Sequence, residues 1–174
     1  MEAARFIHDN LHHCQDQYPT LFLNVSEQTL HSGVIFKAWA RVIQDIAKSC
    51  SSRLVIEITE DIQDASLASR WDSLTELGVE LALDDYGDKN SSLERLNRYD
   101  WHYCKFDARR LRSLEDYPAI LHCRRKGIQL IAEQVESFPL GESAKLLGLS
   151  WQQGFYHGKP AVMDIHLNYV KAFP

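Results

Sequence analysis

The amino-acid sequence predicts an α/β fold built from consecutive βα units around a parallel sheet. Two observations predict this fold. Short apolar segments alternate with longer segments of helical period along most of the chain. A polar side chain also stands at or near the end of each apolar segment, and these side chains recur at the spacing of successive βα units.

Six apolar segments predict the strands. They are short and bounded by polar or turn-forming residues, which is typical of buried parallel strands. The predicted strands are Leu21 to Val25, Leu54 to Ile58, Glu80 to Leu83, His102 to Phe106, Ile128 to Ala132 and Leu149 to Gln153.

Segments with helical periodicity lie between these strands. Gly78 and Gly127 each come just before a predicted strand, where the C-terminal glycine of a helix is expected. The predicted helices are Val34 to Lys48, Ser66 to Leu77, Leu93 to Asn97, Tyr117 to Lys126 and Leu140 to Leu147, with others at each terminus.

The composition indicates a single globular domain over residues 1–174. The net charge is −5, and the hydrophobic and charged fractions are 45% and 25%, as in ordinary folded domains. No apolar run approaches the roughly 20 residues that a membrane-spanning helix needs. The acidic balance argues against a nucleic acid polymer as partner, because neutralising its phosphates requires an excess of lysine and arginine.

The N-terminal residues and the cysteines favour a cytoplasmic location. Residues 1–10 are typical of the start of an amphipathic helix and lack the basic and apolar regions of a signal peptide. The four cysteines are far apart and form no C-x-x-C pair, so we expect neither a zinc ribbon nor a disulfide framework. A reducing compartment suits such cysteines.

Polar side chains at the strand ends predict a functional site. In a closed parallel barrel the carboxyl ends of all strands meet at one face, where barrel enzymes place their chemistry. Carboxylate and amide oxygens favour Mg²⁺, Mn²⁺ or Ca²⁺ over zinc. The residues at these ends are Asn24, Glu57, Asp84 with Asp85, Lys105, Glu133 and Gln153.

A structural interpretation is open for each of these residues taken singly. A carboxylate after a strand often caps the next helix, and the pair Asp84 and Asp85 could form a turn. Polar ends on six strands in succession favour a common site instead. Lys105 lies inside a predicted strand, and a buried ammonium needs a charged partner, which we expect among the neighbouring carboxylates.

The same segments resemble the EAL family of cyclic di-GMP phosphodiesterases. Six family motifs occur in order between about Phe6 and Pro160. They are Asn24 to Ser26 (N-x-S), Glu57 to Glu60 (E-x-T-E), Asp84 to Gly87 (D-D-F-G), Lys105 to Asp107 (K-x-D), Ala132 to Glu136 (A-E-G-V-E) and Gln153 to Phe155 (Q-G-Y/F), followed by Lys159-Pro160.

The resemblance implies a TIM-type (β/α) barrel and a two-metal site for Mg²⁺ or Mn²⁺. One cation would be held by Asn24, Glu57 and Asp84. A second would be held or bridged by Asp84, Asp85 and Glu133. Such a site suits hydrolysis of a phosphodiester, here cyclic di-GMP to linear pGpG.

Further roles are implied for side chains around the metal ligands. Lys105 and Glu133 would be the catalytic residues, with Lys105 orienting the attacking water. Glu60 would support the loop after the aspartate pair, and Glu136 and Gln153 would support the substrate and water.

Three departures from the family pattern keep two functions open. The N-terminal E-x-L-x-R region is not found, which leaves six of the expected strands. Lys89 and Gln134 stand where the family motifs have glycine. The chain is therefore interpreted either as a metal-dependent phosphodiesterase, or as an inactive module that binds cyclic di-GMP or a protein partner in signalling.

An incomplete barrel predicts self-association. Its first and last strands would expose unpaired backbone groups, which folded proteins normally cover. We therefore expect a homodimer, or a partner protein that closes the barrel.

Overall fold

The computed structural model describes residue 7, residues 20–49 and residues 52–159. Within these residues, six parallel strands form one sheet in sequence order, each pairing with its neighbours along the chain. The strands are β1 (Thr20–Val25), β2 (Arg53–Ile58), β3 (Glu80–Leu83), β4 (Tyr103–Asp107), β5 (Gln129–Glu133) and β6 (Trp151–Gln152).

Helices connect the strands, as predicted for βα units. A 3₁₀ turn, Leu111–Ser113, follows β4. The helices are α1 (Glu27–His31), α2 (Gly33–Ser49), α3 (Asp64–Thr75), α4 (Leu93–Arg98), α5 (Tyr117–Lys126) and α6 (Phe138–Leu146). The helix predicted for residues 1–10 lies outside the described residues, apart from Ile7.

The predicted alternation of strands and helices is confirmed, with differences at three places. The last strand is shorter than predicted, because the Leu149 amide bonds to the Ala144 carbonyl and closes the turn after α6 instead of pairing with β5. Helix α1 was not predicted, and its N-cap Ser26 accepts a hydrogen bond from the Thr29 amide. Gly127 caps α5 as predicted, whereas Gly78 lies three residues beyond the end of α3.

The two faces of the sheet carry separate apolar cores. Residues such as Leu54, Ile56 and Ile58 point to one face and belong to the large core that includes buried helix residues. Val55 points to the other face, the inner face, where a smaller core (the inner core) joins strands β2 to β5. Aromatic side chains extend this smaller core, since Phe22 and Trp151 from the two outer strands pack against it.

The sheet is an open half-barrel in the part of the chain that the structure describes. There, β1 pairs only with β2, and β6 pairs only with β5. Across the inner face, the Arg53 guanidinium lies 5.8 Å from the ring centroid of Trp151. Among the described residues, no helix has the length and apolar character needed to cross a membrane.

Candidate functional site

The predicted site residues come together at the carboxyl edge of the sheet. Glu57, Lys105 and Glu133 lie near the ends of β2, β4 and β5, and Asp84 directly follows β3. Strand alternation places Glu57 on the same face as Val55, two residues earlier, which belongs to the inner core. These four side chains therefore meet at the inner rim of the half-barrel.

Lys105 lies at the centre of this group. Its Nζ atom is 2.6 Å from Glu57 Oε1, 2.7 Å from Glu133 Oε1 and 2.9 Å from Asp84 Oδ1. The Lys105 side chain is 4% exposed. The buried lysine thus finds its partners among the neighbouring carboxylates, as the sequence indicated, and it contacts three of them at once.

Burial and charge shift the pKa values of these groups. Burial favours neutral Lys105, but the charges of its three carboxylate partners outweigh that effect and raise its pKa. Burial raises the pKa of Glu57, and Lys105 opposes the shift. Burial, reinforced by Asp84, also raises the pKa of Glu133 against the opposing effect of Lys105. Lys105 is therefore an ammonium ion that holds an otherwise repulsive set of carboxylates together.

The aspartate pair forms a tight turn above this ammonium. Asp85 has a positive φ of 48°, and its amide donates to Asp84 Oδ1 at 3.0 Å. The Ser91 hydroxyl donates to the Asp84 carbonyl at 2.7 Å. Burial, with the charges of Asp84 and Glu60, raises the pKa of Asp85 to about 6. The turn brings two carboxylates from consecutive residues to the same rim.

A metal-binding geometry exists within the predicted ligand set. One carboxylate oxygen each from Asp84, Asp85 and Glu133 lies within 4.8 Å of the others. These are hard oxygen donors with excess negative charge, so they fit Mg²⁺, Mn²⁺ or Ca²⁺. Glu57 lies outside this group of three, although it shares Lys105 with Asp84 and Glu133. Asn24 is exposed beside Glu57 in the strand register.

An open cleft of about 340 Å³ adjoins the carboxylates. Four carboxylates and two amides contribute to its wall, and none of the described residues that line it is cationic. Glu136 and Gln153, predicted as supporting residues, are both part of this wall. The lining residues are Asp84, Asp85, Glu133, Gln134, Glu136, Gln153, Gly154 and Phe155.

Glu60 contacts the loop that follows the aspartate pair. Its carbonyl accepts hydrogen bonds from the Asn90 side chain at 3.0 Å and from the Asn90 amide at 3.4 Å. Its carboxylate is 3.5 Å from Lys89 Nζ, and Lys89 also pairs with Asp61. The segments after β2 and β3 are therefore linked directly.

The sequence matches the family model of the EAL domain over residues 1–160. The chain belongs to the EAL domain family. This EAL domain is 30% identical over 132 residues to the cyclic di-GMP phosphodiesterase PdeF of Escherichia coli (strain K12). That similarity covers 68% of this chain and 17% of PdeF.

Solved structures of EAL proteins share the fold. The EAL domain of DcpA from Mycobacterium smegmatis superimposes with a TM-score of 0.71 at 24% identity, covering 91% of this chain and 76% of that one. YkuI from Bacillus subtilis, solved in complex with substrate c-di-GMP and calcium, gives 0.75 at 21% identity, with coverages of 94% and 45%. These structures confirm the predicted barrel type.

Two positions where the EAL motifs have glycine adopt positive φ in this EAL domain. Lys89 has a φ of 35° and Gln134 a φ of 52°. Side chains with a Cβ are disfavoured there, whereas glycine is not. Both positions thus have a backbone conformation that suits glycine, although this chain has lysine and glutamine there.

Arg95 of α4 was missed by the sequence analysis. Its side chain is 1% exposed, and its Nη2 atom lies 2.6 Å from both Asp64 Oδ1 and the Ile62 carbonyl. Arg95 therefore joins the segment after β2 to α4, the helix that follows the loop after the aspartate pair. No sequence signal revealed it, because a helical arginine is usually exposed.

Gly154 fixes the end of β6 against the loop after β5. A Cβ at this position would overlap the backbone N and O atoms of Val135. We expect Gly154→Ala to lower the free energy of unfolding by about 1–3 kcal/mol, as overpacking does. Urea unfolding measures the loss, with Gly158→Ala as control because no described residue beyond its chain neighbours lies within 4 Å of a Cβ built there. Equal stabilities for the two variants would contradict this packing account.

Proposed function

We propose that this EAL domain binds cyclic di-GMP through divalent cations and hydrolyses it to linear pGpG. The observation that carries the proposal is the convergence of Glu57, Asp84, Asp85 and Glu133 beside an open cleft. Membership of a family whose relatives include the cyclic di-GMP phosphodiesterase PdeF supports this substrate.

The carboxylates are proposed as ligands of Mg²⁺ or Mn²⁺. Asp84, Asp85 and Glu133 would hold one cation, in accordance with the close approach of their oxygens. Asn24 and Glu57 would join Asp84 around the other. When bound, such cations supply a water of lowered pKa and offset charge on phosphoryl oxygens.

The remaining polar residues are proposed to orient the reactants. Three carboxylates hold the ammonium of Lys105 and occupy its three N–H donors. Lys105 would orient a water once a bound cation takes one of these carboxylates as its ligand. Glu136 and Gln153 would contact the substrate from the cleft wall. Glu60 would hold the loop after the aspartate pair through Asn90 and Lys89.

A second candidate function is binding of cyclic di-GMP, or of a protein partner, without hydrolysis. The side chains at Lys89 and Gln134 favour it, because both occupy positive-φ positions next to the proposed machinery. A small displacement of the aspartate loop or of Glu133 would be enough to impair catalysis, which depends on close positioning of the reacting groups.

Chromatography of the products distinguishes the two functions. Cyclic di-GMP is incubated with the protein and Mn²⁺ or Mg²⁺, with Asp84→Asn as the comparison. We expect pGpG to accumulate with the wild type and to fall by at least about 100-fold with the variant, equivalent to about 2.7 kcal/mol. No pGpG from the wild type would overturn the hydrolytic proposal. Retained binding of cyclic di-GMP in that case would establish the second function.

Self-association is proposed from the edges of the half-barrel. Within the described residues, β1 and β6 each have one neighbouring strand, and a parallel edge strand offers unpaired backbone groups. We expect a dimer in sedimentation equilibrium at micromolar concentration, with amides of Leu21 to Val25 protected from hydrogen exchange. A monomer with the same protection would show that the edge is covered within one chain.

A further inference from the structure

Gln134 combines cleft exposure with an unfavourable backbone conformation. It directly follows Glu133 at the end of β5, is exposed, and contributes to the cleft wall. Its φ of 52° is one that glycine adopts freely and that glutamine adopts at a cost. A conformational cost at a ligand cleft is a reason to ask what the side chain does there.

The backbone around Gln134 is fixed on both sides. The Glu133 carbonyl accepts from the Ala108 amide at 2.9 Å, and the Val135 amide donates to the Gln153 carbonyl at 3.0 Å. Val135 is fully buried, and its carbonyl accepts from the Tyr156 amide. The turn therefore cannot readily relax to a negative φ, and Gln134 is kept at the cleft wall.

The described residues that line the cleft offer few side-chain donors. Ionised carboxylates only accept hydrogen bonds, and carboxylates make up half of the lining residues. Among these lining side chains, the amides of Gln134 and Gln153 can donate hydrogen bonds, and their charge does not change with pH. The phosphoryl and guanine oxygens of a cyclic dinucleotide are acceptors, so they require a donor of this kind.

We propose that Gln134 is a ligand-contacting residue, whose Nε2 atom donates a hydrogen bond to an acceptor oxygen of the bound cyclic dinucleotide. The inference rests on the proposed function, because it needs the dinucleotide in this cleft. It adds a contact from a position that the family motif leaves without a side chain.

Calorimetric titration of cyclic di-GMP in the presence of Ca²⁺ tests the contact. Gln134→Gly removes the side chain, and Gln134→Leu keeps its bulk and its positive φ but has no donor. We expect both variants to bind about three- to tenfold more weakly than wild type, the effect of losing one hydrogen bond.

Leu114→Gly is the matched control. Leu114 also has a positive φ, of 61°, and is 61% exposed, but it is not among the residues that line the cleft. We expect both glycine variants to raise the melting temperature, and only the Gln134 variants to weaken binding. Unchanged or tighter binding by both Gln134 variants would overturn the inference alone, whereas no binding by the wild type would overturn the proposed function with it.

Discussion

Replacing Lys105 with methionine is expected to lower the free energy of unfolding by about 3–5 kcal/mol, the usual cost of breaking a buried ion pair from one side. The substitution keeps most of the apolar stem and removes the ammonium. Glu57, Asp84 and Glu133 would then lose their shared cation while remaining mostly buried. Their mutual repulsion would add to the cost of burying each carboxylate without a partner.

Urea unfolding in the presence of EDTA measures this loss. Lys37→Met is the matched control, because Lys37 is exposed on α2 and a surface change of this kind is expected within about 0.5 kcal/mol of wild type. Mn²⁺ should restore part of the stability of Lys105→Met, since a cation bound by the same carboxylates offsets their charge. Identical stabilities for the two variants would show that Lys105 does not hold the cluster together.

Removal of divalent cations is expected to weaken binding of cyclic di-GMP by at least about 100-fold, or about 2.7 kcal/mol. The ligand carries two phosphodiester charges, and the described residues of the cleft wall include four carboxylates and no cationic side chain. Lys105 lies behind the wall and supplies one positive charge, which is shared by Asp84, Glu133 and Glu57. Bringing like charges together at a binding surface costs several kcal/mol. Bound cations would reverse the sign of this interaction.

Cyclic di-GMP is titrated into the protein once with Ca²⁺ present and once with EDTA present, at the same ionic strength. A monovalent salt control at equal ionic strength separates specific cation binding from screening, which acts on all exposed charges alike. An affinity that is unchanged by EDTA would mean that neutral contacts carry the binding. The carboxylates would then have no part in holding the ligand.

The strand positions and the shared rim of the site could be predicted from the sequence for one physical reason. Parallel strands buried on both faces need apolar residues throughout, so a polar residue at the end of such a segment stands out. Because the carboxyl ends of parallel strands meet at one edge, Glu57 and Asp84 could be placed together although they belong to different βα units. The ion pairs of both with Lys105 agree with that placement.

Other features depend on contacts that no local pattern encodes. Arg95 has a charged partner, Asp64, that lies 31 residues away in the chain. The sequence analysis began β6 too early, at the apolar residue Leu149. Leu149 is fully buried, but its amide bonds within the turn after α6. Burial could be predicted there, whereas the hydrogen-bond partner depended on how α6 ends.

The two positions where the family motifs have glycine could be predicted only in part. The motif comparison indicated that Lys89 and Gln134 occupy positions that favour glycine, and both have positive φ. The compensating contacts of Lys89 with Glu60 and Asp61 involve side chains from another loop. Sequence could therefore locate the unusual backbone but not the interactions around it.

A calorimetric titration with Mn²⁺ tests most directly whether the carboxylate cluster is a metal site. Wild type is compared with Asp84→Asn, and Asp45→Asn serves as control because Asp45 is exposed on α2. We expect Mn²⁺ to bind the wild type and the control equally, and Asp84→Asn at least about tenfold more weakly, or about 1.4 kcal/mol. Equal affinities of wild type and Asp84→Asn would contradict the assignment of the metal site to this cluster.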